Sequence, residues 1–167
     1  RASQGEYVVL TYQLAGQWAT GARSVHSTDG GATWSEPVAM APNATEDHFM
    51  PCVGIDDLGN PFAGVKLGNN PATVYEGILR SPDGGTTWLD AVNASDNADG
   101  NAVCECCPSL PFWAEGRYYD LVRNNNNNLR DFWLMSSGDG ADWDAAIDVD
   151  PLDWMISCLL YTSPSPR

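Results

Sequence analysis

The chain has few basic side chains, only eight arginines and lysines among its 167 residues. They stand against 22 aspartates and glutamates, so the formal net charge is −14 at pH 7. A surface with so little positive charge has no basic patch that could displace counterions from a phosphate backbone. It also has nothing to attract it to an anionic membrane surface. The composition therefore argues against binding to nucleic acid or acidic lipid, and we interpret the acidity as a solubility property.

Long hydrophobic runs and helical patterns are missing as well. No apolar stretch approaches the roughly 20 residues that a transmembrane helix needs, and no segment shows a convincing 3.6-residue periodicity. The chain instead has short segments rich in Val, Tyr, Phe and Trp, which are separated by Gly, Asn, Asp and Pro. This alternation is typical of β-strands joined by turns. The sequence therefore predicts an all-β fold and no insertion into a membrane.

An eight-residue phrase recurs along the chain at a nearly constant spacing. Residues 27–34 read STDGGATW, residues 81–88 read SPDGGTTW, and residues 136–143 read SSGDGADW, which is a degenerate third copy. A fixed period of this size indicates an array of similar supersecondary units. Each copy has the composition of a hairpin turn, because Asp accepts backbone hydrogen bonds and Gly tolerates positive φ. In the third copy Gly138 stands where the Asp belongs and Asp142 where the Thr belongs, so a looser turn is expected.

The phrase S-x-D-x-G-x-T-W resembles the Asp box, or BNR repeat, of the sialidase-like β-propellers. The resemblance implies blades of four strands, with the box joining the third strand to the fourth. In the second unit these strands are predicted near 50–56, 61–67, 75–81 and 88–93. The chain would then be a partial sialidase-like β-propeller, a fragment with about three of a normal six blades. The blades are placed near residues 1–45, 46–100 and 101–157, and the first is expected to lack its inner strand.

The last ten residues, 158–167, are interpreted as a non-native tail. They read CLLYTSPSPR and resemble the translation of a sequencing adapter in one reading frame. Such scars are excluded from fold reasoning, so Cys158 is not counted among the candidate functional cysteines.

Propeller topology, once assumed, sorts the loops onto two edges of the blades. The boxes lie on one edge, together with the loops between the first and second strands. The remaining loops lie on the opposite edge, which in the sialidase-like family carries the active site. The resemblance therefore assigns a structural rather than a catalytic role to the box residues, which are Asp29, Trp34, Asp83, Trp88 and Trp143.

Two arginines on the opposite edge are candidates for binding an acidic sugar. Exo-sialidases clamp the substrate carboxylate with three arginines, whose bidentate contacts lysine cannot copy. Arg123 and Arg130 flank a run of five asparagines and are assigned to such a clamp, with Asn124 and His48 as further substrate-binding residues. The alternative is that both arginines pair with neighbouring aspartates on a solvated rim.

The same chemistry needs a Tyr nucleophile activated by a Glu, together with an Asp as acid and base, which is an exception to the two-carboxylate scheme. Candidate catalytic residues are Asp131, Glu105 and Asp47, because they lie in loops of the opposite edge. Tyr118 and Tyr119 are present, but the sequence does not fix which Tyr would act.

The cysteines allow two interpretations. In an exported protein they would form disulfides that tie an inter-blade loop to its neighbour, and this interpretation is preferred. Alternatively they could join His48 and Met50 as soft ligands for copper or zinc. The residues concerned are Cys52, Cys104, Cys106 and Cys107.

Function follows from a fold only by analogy, since one propeller hosts many activities. The leading hypothesis is an exported protein, whether secreted, periplasmic or on the cell surface, that hydrolyses terminal acidic sugars of glycans as exo-sialidases do. No cofactor is expected. The alternative is a non-catalytic Asp-box propeller that binds glycan or protein.

Overall fold

The computed structural model describes residues 1–68, 74–95, 108–123 and 132–149. Within these ranges the chain forms twelve β-strands in three antiparallel sheets of four strands each. The same ranges contain no helix that is long and apolar enough to cross a bilayer. The prediction of an all-β fold is therefore confirmed.

Sheet 1 contains β1 (Ala2–Gln4), β2 (Tyr7–Gln13), β3 (Ala22–Ser27) and β4 (Val38–Ala39), paired in chain order. The expectation that this unit lacks its inner strand is wrong. Strand β1 pairs with β2 from Ala2 opposite Val9 to Gln4 opposite Tyr7. A two-residue turn makes this possible, because Gly5 takes a φ of 60° and folds the chain straight back.

Sheet 2 contains β5 (His48–Ile55), β6 (Pro61–Leu67), β7 (Tyr75–Arg80) and β8 (Val92–Asn93), again in chain order. The first three strands agree with their predicted bounds within two residues, whereas the fourth begins only at Val92. Sheet 3 repeats the arrangement with β9 (Leu110–Ala114), β10 (Arg117–Arg123), β11 (Phe132–Ser137) and β12 (Ile147–Val149).

Sheet 2 lies between the other two and is buried on both faces. All seven residues of β6 are buried. Alternate residues of a strand point to opposite faces, so Ala63, Val65 and Leu67 pack against sheet 1. Phe62 points the other way and packs against sheet 3, where its ring meets that of Tyr118 edge-on at 4.9 Å. Burying a side chain such as Phe62 contributes about 2–3 kcal/mol, so the two interfaces hold the three sheets together.

This topology gives the sheets two different edges. The loops after β3, β7 and β11 carry the repeated phrase, and we call this side the repeat-loop edge. The loops after β2 and β6, and the connections from one sheet to the next, lie on the opposite edge. That edge includes the described segments 14–21 and 40–47 and the first residues of β5 and β7.

Candidate functional site

The first repeat loop is organised by the carboxylate of Asp29. Its Oδ1 accepts hydrogen bonds from the Ser27 hydroxyl at 2.7 Å and the Thr33 backbone N–H at 2.8 Å. Its Oδ2 accepts a third from the Thr33 hydroxyl at 2.6 Å. These bonds, the Thr33 hydroxyl first among them, hold the pKa of Asp29 below its usual range. The carboxylate therefore stays ionised and serves the turn.

The second loop repeats this geometry around Asp83. The Thr87 backbone N–H and hydroxyl donate to Asp83 at 2.7 and 2.8 Å, and the Ser81 hydroxyl donates at 3.0 Å. The Thr87 backbone bond is the main reason that the pKa of Asp83 lies below its usual value. Such bonding is what an Asp in a structural turn makes.

The third loop uses a different residue from the one that the sequence alignment indicated. Asp139, not Gly138, occupies the organising position, and it accepts from the backbone N–H groups of Ala141 and Asp142 at 2.8 and 2.9 Å. Ser137 takes the place of Ser27, since its hydroxyl donates to Asp139 at 3.2 Å. The loop is one residue shorter and lacks the Thr hydroxyl bond, but it is closed, so the expectation of a loose turn is wrong.

Two of the three tryptophans at the ends of these loops link neighbouring sheets. Trp88 follows β7 of sheet 2, packs into the interface with sheet 1 and donates its indole N–H to Ser24 at 2.9 Å. Trp143 is buried in the interface between sheets 2 and 3. Trp34 instead lies on the outer side of sheet 1, where 42% of its surface is exposed. Trp88 and Trp143 thus each contact the sheet that precedes their own, whereas Trp34 lines an open groove.

On the opposite edge, a tyrosine and a glutamate form a hydrogen-bonded pair. Tyr75 is the first residue of β7, and Glu46 lies in the connection between sheets 1 and 2. The Tyr75 hydroxyl is 2.9 Å from each carboxylate oxygen of Glu46, and donates its proton to that carboxylate. A carboxylate in this position can take the proton of the phenol, so the pair has the geometry of a nucleophile beside its base.

His48 lies next to this pair and is fixed by two hydrogen bonds. Its backbone N–H donates to the carbonyl of Trp18 at 2.9 Å, and its ring Nδ1 lies 2.9 Å from the carbonyl of Glu46. Because a carbonyl oxygen only accepts, Nδ1 is the donor in this contact. In the register of β5, β6 and β7, His48 opposes Leu67 and Leu67 opposes Tyr75, so the three lie in one row.

A recess of about 320 Å³ opens beside Glu46. Three alanines, at positions 41, 44 and 91, form part of its wall. Its polar lining residues are Asn43, Thr45, Glu46, His48 and Asp90. The recess therefore offers carboxylate, amide, hydroxyl and imidazole groups, with no lysine or arginine among the residues that line it.

The structure brings together only some of the predicted site residues. Asp47 and His48 lie side by side next to the Tyr75–Glu46 pair, and Arg123 ends β10 as a partly buried residue. Four further predicted residues fall outside the described ranges, and they are Glu105, Asn124, Arg130 and Asp131.

A buried charged cluster lies on the face of sheet 2 that meets sheet 3. Lys66 and Glu76 oppose each other on β6 and β7 and form an ion pair, with 1% and 0% of their side chains exposed. Asp120 of β10 is fully buried against them. Gly64 leaves the space for this cluster, because a Cβ there would lie 2.8 Å from both Asp120 Oδ2 and Glu76 Oε1 and closer still to Ser109 Oγ.

Burial is the main reason that the pKa of Asp120 lies well above its usual range, and the negative charge of Glu76 raises it further. The same surroundings affect Cys52, where burial and then the charges of Asp120 and Glu76 raise the thiol pKa.

Of the four candidate cysteines, only Cys52 lies in the described part of the chain. Cys52 is a free thiol, so the preferred disulfide interpretation does not hold for it. Cys104, Cys106 and Cys107 lie outside the described ranges. Among the described residues, no three His, Cys, Asp or Glu side chains are grouped closely enough to hold a metal ion.

Sequence reasoning missed Tyr75 and named two other tyrosines instead. Tyr118 lies towards the repeat-loop edge, where its hydroxyl donates to Asp56 at 3.0 Å. Burial and this bond raise the pKa of Tyr118 to about 12, which disfavours a phenolate. A signal for Tyr75 was available, since the predicted strands 61–67 and 75–81 already placed it at the opposite edge.

Comparisons with known proteins identify the fold. No protein-family profile and no curated protein sequence matches the chain. Among solved structures, the Hadza microbial sialidase Hz136 superposes with a TM-score of 0.61 and 15% identity, over 89% of this chain and 36% of its own. The α-L-arabinanase of Penicillium chrysogenum, complexed with arabinobiose, gives 0.54 and 12%, over 87% of this chain and 47% of its own. The intramolecular trans-sialidase of Ruminococcus gnavus, in complex with oseltamivir carboxylate, gives 0.54 and 16%, over 86% and 31%.

The chain thus spans between about a third and a half of the length of these structures. At such low identity the likeness shows the fold, which is that of part of a sialidase-like β-propeller. The predicted fold class is therefore confirmed, and each four-stranded sheet corresponds to one blade.

Proposed function

We propose that the chain belongs to an exported glycoside hydrolase of exo-sialidase type, which removes terminal acidic sugars from glycans. The observation that carries this proposal is the Tyr75–Glu46 pair on the opposite edge of a sialidase-like propeller. A Tyr activated by a Glu is the nucleophile that sialidase chemistry requires. In this proposal the repeat loops are Asp boxes that act as structural turns, as the internal bonds of Asp29 and Asp83 support.

The proposed first step joins the substrate to Tyr75. The phenolic oxygen forms a bond to the anomeric carbon while its proton passes to Glu46, and the bond to the leaving oxygen breaks. The leaving oxygen takes a proton from an acid in the neighbouring loops, for which Asp47, Asp131 and Glu105 are the candidates. Water then hydrolyses the tyrosyl intermediate, with the same acid acting in reverse as a base.

The substrate carboxylate is assigned to two arginines. In the proposal Arg123 and Arg130 make bidentate contacts with it, because the planar guanidinium matches the geometry of a carboxylate. Asn124 and His48 are proposed to contact sugar hydroxyls. The partly buried position of Arg123 at the end of β10 supports its part in this assignment.

Hydrolysis of a fluorogenic sialoside tests the proposal. We expect Tyr75→Phe and Glu46→Gln to lower kcat/KM at least about a hundredfold, in the range that a positioned base contributes. Arg123→Ala should mainly raise KM, since it removes binding of the carboxylate. Tyr12→Phe, which changes a Tyr on the outer face of sheet 1, is the matched control and should retain activity. A wild-type protein that is inert towards sialosides, or a fully active Tyr75→Phe variant, would remove the basis of the proposal.

The second candidate is a non-catalytic propeller that binds glycan or protein. The observation in its favour is the recess beside Glu46, which offers hydrogen-bonding groups but no basic side chain among its lining residues. Retention of glycans by a wild-type protein that hydrolyses none of them would select this candidate.

A further inference from the structure

The recess beside Glu46 has a composition that suits a ligand different from the acidic sugar assigned to the arginines. Its volume of about 320 Å³ is near the lower end of the roughly 300–1,000 Å³ typical of small-molecule sites. It can therefore take a single sugar unit rather than a long chain. Its wall combines three alanines with five polar residues, which is the mixture of apolar surface and a few placed polar groups found in such sites.

The polar groups of the recess are mainly acceptors. Glu46 and Asp90 present carboxylates, which accept hydrogen bonds from hydroxyl groups. Asn43 and Thr45 can both donate and accept. A sugar hydroxyl can donate to a carboxylate and accept from an amide or hydroxyl, so adjacent hydroxyls of a sugar ring match this lining.

The charge of the recess disfavours an anionic ligand. Two carboxylates line it without a lysine or arginine, in a chain whose net charge is −14. A carboxylate brought between Glu46 and Asp90 would be repelled by both. An uncharged sugar meets no such repulsion.

Part of the recess is held rigidly. His48 is 6% exposed and is tied to the carbonyls of Glu46 and Trp18. Glu46 is held in turn by the hydroxyl of Tyr75.

We propose that this recess, formed by Asn43, Thr45, Glu46, His48 and Asp90, is a binding site for one uncharged sugar unit. No arginine lines the recess, and its occupation does not depend on the proposed hydrolysis. In a hydrolase it would hold the neutral sugar that carries the acidic one, and in a binding propeller it would hold the glycan itself.

Matched pairs of sugars test the charge rule directly. D-galactose and D-galacturonate differ only in an uncharged or a carboxylate group at carbon 6, as do D-glucose and D-glucuronate. Because the chain has just two histidines, their ring protons in NMR titrations report the place of binding. His48 lines the recess, whereas His26 lies at the repeat-loop edge and serves as an internal control.

We expect at least one neutral sugar to shift the His48 signals saturably and to leave those of His26 unchanged. Its acidic counterpart should bind at least about tenfold more weakly. Asp90→Asn should reduce the ratio of the two affinities, neutral over acidic, about fivefold or more, because it removes one repelling charge and keeps the shape of the side chain. Asp57→Asn makes the same charge change at an exposed turn of the repeat-loop edge, and should leave both affinities unchanged.

The proposal is overturned if no neutral sugar, added up to the limit of its own solubility, shifts the ring-proton signals of His48. It is equally overturned if the acidic sugars bind as tightly as the neutral ones. It is also overturned if Asp90→Asn and Asp57→Asn have the same effect. Because binding is measured without turnover, these outcomes are independent of whether the protein hydrolyses sialosides.

Discussion

The ion pair between Lys66 and Glu76 gives a sharp prediction about stability. Replacing Lys66 by Met keeps the length of the side chain but leaves the Glu76 carboxylate buried without its cation, next to Asp120. Breaking one partner of a buried pair costs about 3–5 kcal/mol, because the remaining charge has neither water nor a counter-ion. For a chain of this size that loss lowers the melting temperature by roughly 6–20 °C.

Two further variants separate this explanation from a mere loss of packing. The double variant Lys66→Met/Glu76→Leu removes both charges, so it should be much closer to the wild type than Lys66→Met alone. Arg117→Met breaks the ion pair between Arg117 and Asp144, whose two side chains are 39% and 62% exposed, respectively. This variant should lower the free energy of unfolding by at most about 1 kcal/mol. Urea unfolding at neutral pH measures all three. The reasoning fails if Lys66→Met costs less than the Arg117 variant, or if the double variant is as unstable as the single one.

Three other substitutions have expected effects on stability. Burial and Glu76 raise the pKa of Asp120, so the stability that its proton gives is complete below the unfolded value of about 4 and declines as pH rises through the folded value. The free energy of unfolding of Asp120→Asn, measured with urea, should therefore rise relative to that of the wild type as pH increases from about 4 to 8. A difference between the two proteins that does not change with pH would contradict this. Gly64→Ala should destabilise the protein by about 1–3 kcal/mol in the same assay, because its Cβ would collide with Ser109 and two buried carboxylates. Glu115 has a φ of 49° in the two-residue turn between β9 and β10. Glu115→Asn should raise thermal stability by about 0.5–1 kcal/mol, since Asn favours this conformation, and a loss would show that the turn is not strained.

The period of the sequence determined most of what could be predicted about the fold. Because each repeat has the composition of a turn between strands, the third strand of a unit followed from the phrase, whereas the fourth strand of sheet 2 begins at Val92 rather than directly after the phrase. The strands β6 and β7 were bounded to within one residue, as they lie between a Gly-containing turn and the next repeat. Strand β1 was missed because its three residues carry no hydrophobic alternation, and pairing with β2 alone defines it.

In the third repeat, an ungapped sequence alignment identifies the wrong residue as the one that organises the turn. Aligning eight residues with eight placed Gly138 at the organising position, whereas hydrogen bonding selects Asp139 in a loop shortened by one residue. The physical requirement is a carboxylate that reaches two or three backbone N–H groups, and a shorter loop with Asp one position later meets it. Searching for an Asp that closes the turn, rather than for a fixed spacing, would have found it.

The buried cluster could not be predicted from the sequence. Lys66, Glu76 and Asp120 are residue types of an ordinary solvated surface, and Asp120 belongs to a different repeat from the other two. Lys66 and Glu76 meet because the register of β6 with β7 places them opposite each other, and Asp120 fits against them because Gly64 leaves a space between sheets 2 and 3. A charge pattern in a strand is therefore ambiguous until its neighbour on the same face is known.

The two edges of the sheets differ in how their polar groups are used, and this difference bears on function. At the repeat-loop edge, Asp29, Asp83 and Asp139 direct their oxygens inward to backbone and hydroxyl donors of their own loops. Because those carboxylates accept hydrogen bonds within their own turns, they have few acceptor positions available for a ligand. At the opposite edge, Glu46 accepts one side-chain bond from Tyr75 and still faces an open recess with Asp90. A carboxylate that is held in place and yet accessible is what proton transfer or sugar binding requires, which is why the site is placed on this edge although the conspicuous motif lies on the other.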